Sequence, residues 1–74
     1  MDWQKVFNEI HTWMIASNQM SQQYPITSDE YWEWVVSSIG EIGNQFGNHP
    51  LVNRFLSALM DFQEENRLKL MGGK

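Results

Sequence analysis

Two histidines, His11 and His49, and nine carboxylates are the side chains best suited to holding a metal or moving a proton. A metal site needs several nitrogen, oxygen or sulfur ligands converging on one point. His11 has neither a histidine nor an acid three or four residues away, and His49 stands in the turn-forming run Gly47-Asn48-His49-Pro50. His49 is therefore read as a helix-start residue, and no metal is expected. The chain has no cysteine, which excludes thiolate ligands and disulfides. Serines 17, 21, 28, 37, 38 and 57 have no glycine-framed elbow and no neighbouring base to make them nucleophiles. Glu41, Glu64 and Glu65 read as solvated charges, because paired carboxylates need a cleft to act as acid and base. No catalytic residue, cofactor or enzymatic activity is expected.

The elements behind these residues follow from the spacing of apolar side chains. Trp3, Val6, Phe7, Ile10, Trp13, Met14 and Met20 recur in helical steps. They predict a helix over about residues 3–20, with Asp2 as its N-cap and Pro25 beyond its end. A second helix, about 29–46, starts at Thr27-Ser28-Asp29-Glu30, where Thr27, Ser28 or Asp29 can cap. Its stripe is Trp32, Val35, Val36, Ile39, Ile42 and Phe46, with Gly40 and Gly43 on or beside it. The alternative is that this helix frays after Ile39, since each glycine costs about 1 kcal/mol relative to alanine.

The third helix, about 50–71, has Asn48 or His49 before Pro50, a residue favoured in a first helical turn. Leu51, Val52, Phe55, Leu56, Leu59, Met60 and Phe62 cover about 180° of its circumference, more than an ordinary surface helix buries. That breadth calls for two neighbours, or one neighbour and a second chain. Gly72-Gly73 marks its end. The expectation is an all-α, antiparallel three-helix bundle in a single domain over residues 1–74, which could also form a helical homodimer.

Composition narrows the partners. Five basic against nine acidic residues give a net charge of −4, and only Lys5 and Arg54 among the basic residues precede Arg67. A helix-turn-helix reader would offer Asn53, Arg54, Arg67 and Lys69, set against Asp61, Glu64 and Glu65 on the same element. Phosphate contacts need more cations than this, so nucleic acid is not expected as a partner. The N-terminal residues do not resemble a secretory signal, and no apolar run approaches the roughly 20 residues needed to span a bilayer. A cytoplasmic protein without a membrane partner is the expectation.

Trp34 then stands out. With Trp32, Val35, Val36 and Ile39 facing inward, it points about 160 to 200° away, sharing an outer face with Glu30 and Glu41. Tryptophan is enriched at binding hot spots, so Trp34, rimmed by Glu30 and Glu41, is the candidate partner contact. The alternative is that Tyr24-Pro25-Ile26 or a chain end folds over it. Leu56 and Met60 are the candidates for self-association, with Met71 beyond them, unless that edge of the third helix packs against the first as core. Apolar surface in excess of one small core points to a protein partner, most simply in a symmetric homodimer.

The stretches Asp29-Glu30-Tyr31-Trp32-Glu33-Trp34-Val35-Val36, Gly47-Asn48-His49-Pro50-Leu51-Val52 and Leu59-Met60-Asp61-Phe62-Gln63-Glu64-Glu65 resemble small helical proteins of phages and prophages of Gram-positive bacteria. The resemblance covers the last two thirds of the chain, consists mostly of caps and core, and brings no functional residues with it. It implies an accessory protein of a phage or mobile element. Such proteins bind and inhibit host replication, transcription or defence factors, anti-CRISPR inhibitors being one class. The expected function is a non-enzymatic protein-interaction module directed at a host protein, with a purely structural homo-oligomer as the alternative.

Overall fold

The computed structural model describes residues 1–72, with side chains as far as Leu70. The described residues form three helices, α1 (Trp3–Gln23), α2 (Asp29–Gln45) and α3 (Pro50–Gly72). The fold is an all-α three-helix bundle. Gly73, part of the expected stop of α3, and the side chain of Met71 lie outside what is described.

Each helix end has a local chemical cause. Asp2 caps α1, its Oδ1 accepting the Lys5 amide at 3.2 Å. The helix runs to Gln23, three residues past its expected end, because the ring of Pro25 constrains only the residue immediately before it. That residue, Tyr24, turns extended at φ −128°, ψ 133°. Of the three possible caps for α2, Ser28 is the one used, its Oγ accepting the Tyr31 amide at 3.2 Å.

α2 continues through both glycines to Gln45 rather than fraying at Ile39. It ends in a Schellman turn, where the Asn48 amide reaches Gly43 O at 2.8 Å and the Gly47 amide reaches Asn44 O at 3.1 Å. Gly47 takes the left-handed conformation this turn requires, at φ 65°. His49 opens α3, its Nδ1 accepting the Leu51 amide at 3.2 Å.

The central helix is α2, with α1 and α3 both packed along it. Val6 and Trp13 of α1, Tyr31, Val35, Ile39 and Ile42 of α2, and Val52 and Leu56 of α3 form the buried core. Gly43 faces α3 and the turn before it: a Cβ there would meet Asn48, Asn53 and Leu56 at 3.4–3.5 Å, whereas one on Gly40 would meet nothing within 4 Å. At the far end, Arg67 donates to Ser28 O at 3.2 Å and pairs with Asp29 at 3.3 Å. Its guanidinium sits 5.6 Å from the centre of the Trp32 ring. Arg67 is thus level with the start of α2, and α3 runs on past it. Leu70, in phase with Val52 on the inward side, finds no helix beneath it and stays 62% exposed. This overhang lengthens the molecule to 41 × 21 × 16 Å.

Candidate functional site

The position of Trp34 corrects the expected contact surface. Its indole does not stand free on the outer face but is partly buried against the core. It stacks on Trp13 of α1, with ring centres 5.3 Å apart and planes 14° from parallel, and lies 5.9 Å from the Tyr31 ring. The Trp13 Nε1–H donates to Ser38 Oγ at 2.7 Å, and the Ser38 hydroxyl donates in turn to the Trp34 carbonyl at 2.6 Å. One helical turn joins Trp34 to Ser38, so the two make a single wall against α1.

The reason lies in the number of neighbours. A helix packed on one side buries a stripe, whereas α2 buries an arc. Trp32 and Gly43 mark the α3 flank of that arc, Trp34 and Ser38 the α1 flank, and Val35 its fully buried centre. Centring the stripe on Trp32 turned the helix by about 60°, enough to put Trp34 outside and Val36 inside. Val36 is in fact exposed. Glu30 and Glu41 are exposed, Glu33 with them, on the side of α2 away from both neighbours.

The candidate self-association residues also sit elsewhere. Leu56 is 4% exposed and belongs to the core, where it lies beside Gly43 of α2. Met60 is half-buried and packed on the same core. Both line an open groove of about 310 Å³ between α2 and α3.

The apolar surface left over is on the opposite flank, where α1 meets α3. These two helices touch at Phe7 and Phe55, with ring centres 5.8 Å apart, and at Trp3 and His49, edge to face at 5.4 Å. Beyond those contacts they part. Phe7 and Met14 of α1 are each 51% exposed, and Leu51 and Phe62 of α3 are 41% and 58% exposed. At about 100° per residue, Phe7 and Met14 fall on one flank of α1 and Leu51, Phe55 and Phe62 on the facing flank of α3. They form one strip along the seam.

A groove of about 200 Å³ opens within this strip, floored by Trp13 and Tyr31 and walled by Met14, Leu59 and Phe62. Its polar lining is Ser17, Asn18, Ser21, Gln63 and Asn66, with no charged side chain. The Tyr31 hydroxyl donates to Gln63 Oε1 at 3.1 Å. Burial raises the Tyr31 pKa above its usual value of 10.0, opposed in part by the polar Ser17 hydroxyl nearby.

The signal for this strip was present in the sequence as the unusual breadth of the α3 arc. Phe7 and Phe62 lie at the edges of their stripes, where a wheel cannot distinguish a second neighbour from solvent. His11 is exposed, and His49 caps α3 beside the Trp3 ring. Among the described residues no group of three His, Asp or Glu side chains could hold a metal ion. No helix among them is long and apolar enough to cross a membrane. No family model, curated protein or solved structure matches the chain.

Proposed function

We propose that this chain is a non-enzymatic protein-interaction module whose working face is the seam between α1 and α3. The observation that carries this reading is the strip of half-exposed Phe7, Met14, Leu51 and Phe62 around an uncharged groove. Monomeric soluble proteins seldom leave contiguous apolar patches of more than a few hundred Å² uncovered, and large ones mark interaction sites. Aromatic and methionine side chains, with charge depleted at the centre, are also the composition of protein interface cores.

The resemblance to phage and prophage proteins makes the partner a host protein, such as a defence or replication factor, and the effect inhibitory. Glu30 and Glu41 remain available on the outward side of α2 as a polar contact, while Trp34, stacked on Trp13, serves the fold first. The reading is tested by affinity capture from host lysate. A protein retained by the wild type and by Ile15→Ser, but lost from Phe7→Ser and Phe62→Ser, supports it. Equal retention by all four chains counts against the seam.

A further inference from the structure

We infer that the occupant of the α1/α3 seam is a second copy of this chain, related to the first by a two-fold axis crossing the seam near Met14 and Phe62. The inference rests on the reading of the seam as a protein-binding face and assigns that face to self-association, so that a host protein would meet the dimer on its outer sides.

Area is the first ground. Phe7, Met14, Leu51 and Phe62, each about half exposed, offer on the order of 400 Å² of apolar surface, taking about 200 Å² for each whole side chain. A standard-size interface removes about 800 Å² from each partner, of which roughly 450–520 Å² is apolar. The strip therefore holds nearly all the apolar surface that one partner must bring to such an interface.

Charge is the second. In a two-fold contact each residue near the axis meets its own copy, so a formal charge there would face its like. The chain carries a net charge of −4, yet no charged side chain lines the groove. The nearest charge on that side of α3 is Glu65, one turn beyond Phe62 and about 60° round the helix, outside the groove lining, followed by Lys69 one heptad beyond Phe62. A differently charged partner would be matched by charges of opposite sign across the contact. The groove offers instead the amides of Asn18, Gln63 and Asn66, each of which both donates and accepts. Such groups can pair with identical groups from a second copy. A two-fold dimer on this face leaves Glu30 and Glu41 of both copies open on its outer sides.

The test measures the mass of the full chain by light scattering, from low micromolar to several hundred micromolar. A dimer of twice 8.8 kDa is expected. Phe62→Asp should raise its dissociation constant by at least about 30-fold, as expected for an interface hot spot, with helicity unchanged. Ile15→Asp, on another face of α1, should leave the dimer intact. Because the chain has no cysteine, Met14→Cys provides a check that does not depend on removing an aromatic side chain. It should cross-link the two copies under oxidation, whereas Ile15→Cys should not.

A wild-type chain that stays monomeric throughout overturns the inference, as does a dimer that survives Phe62→Asp. A monomer that still captures another protein through Phe7 and Phe62 overturns the second copy and leaves the reading of the seam standing. A monomer with no seam-dependent capture overturns both.

Discussion

The two flanks of α1 meet their neighbours in opposite ways. Toward α2, Trp13 is buried, its ring covered by Trp34 and its N–H held by Ser38. Toward α3, Phe7 touches Phe55 but leaves half its surface to solvent, as do Met14 and Phe62. Both flanks are rich in large apolar groups, so hydrophobicity does not distinguish them. The difference is closure. The α1/α2 flank pairs each large group with a partner and gives the Trp13 N–H an acceptor, whereas α1 and α3 diverge and leave a groove. Closure makes an aromatic side chain part of the fold, and the same kind of residue on an open flank is available to another chain.

That contrast is most directly broken at the closed flank. Trp13→Ala should cost about 3–5 kcal/mol, as for other buried large side chains, and a small domain has little more than that to lose. Urea denaturation followed by far-UV circular dichroism should show a large fall in midpoint or outright unfolding. Trp34→Ala should cost about 2–3 kcal/mol, less than Trp13→Ala because the indole is only partly buried, since it gives up the stack and that burial. A double-mutant cycle between the two tryptophans, using leucine in place of alanine if alanine unfolds the chain, should return a coupling of about 1 kcal/mol. Additive effects would mean that the stack contributes nothing beyond burial.

Ser38→Ala sharpens the same point with a smaller change. It leaves the buried Trp13 N–H without its acceptor and should cost about 1–2 kcal/mol.

Tyr31 lies between the two regimes, part of the core and also the floor of the seam groove. Its phenol is held above its ordinary pKa by burial, so the folded state binds its proton more tightly than the unfolded chain does. The stabilisation is fully present below pH 10.0 and is lost as pH rises through the folded value. Stability measured from pH 8 upward should fall with this titration, and Tyr31→Phe should flatten the fall. An unchanged alkaline slope in Tyr31→Phe would place the titration on another group.

The smallest effect on stability is expected at the open flank. Phe62→Ser, measured at low micromolar concentration, should cost less than about 1 kcal/mol because much of the ring is already in water. A loss as large as that of Trp34→Ala would show that the seam is closed in solution and would erase the contrast.

Much of the fold was legible in short stretches of sequence. Asp2, the candidate Ser28 cap, Pro25 and Pro50 act through chain neighbours a few residues away, and each marks a helix end for a reason contained in that stretch. The helical periodicity of all three segments is likewise local. Gly43 was legible only in part, since its place on the stripe suggested a close approach without saying which helix makes it.

The candidate site was legible less well, and Trp34 shows why. A helical wheel gives angles between residues of one helix, but not the direction in which any neighbour lies. Taking Trp32, Val35, Val36 and Ile39 as the inward face centred the buried stripe of α2 near Trp32. With two neighbours the centre moves to Val35, which leaves Trp34 and Val36 on opposite edges of the buried arc, each about 100° from it. Trp34 finds Trp13 of α1 there and Val36 stays exposed. The same ambiguity put Leu56 and Met60 on a contact surface and left Phe7 and Phe62 as ordinary members of their helices' apolar stripes.

The residues themselves settled that this chain makes three helices, where they start, and that it carries more large apolar side chains than one thin bundle can hide. Those are consequences of backbone hydrogen bonding and side-chain spacing within a few turns. Which apolar groups became core and which were left at the surface was decided by α2 lying between its two neighbours while α1 and α3 spread apart. That outcome depends on the relative placement of whole helices, set by contacts between residues tens of positions apart, and no local spacing encodes it.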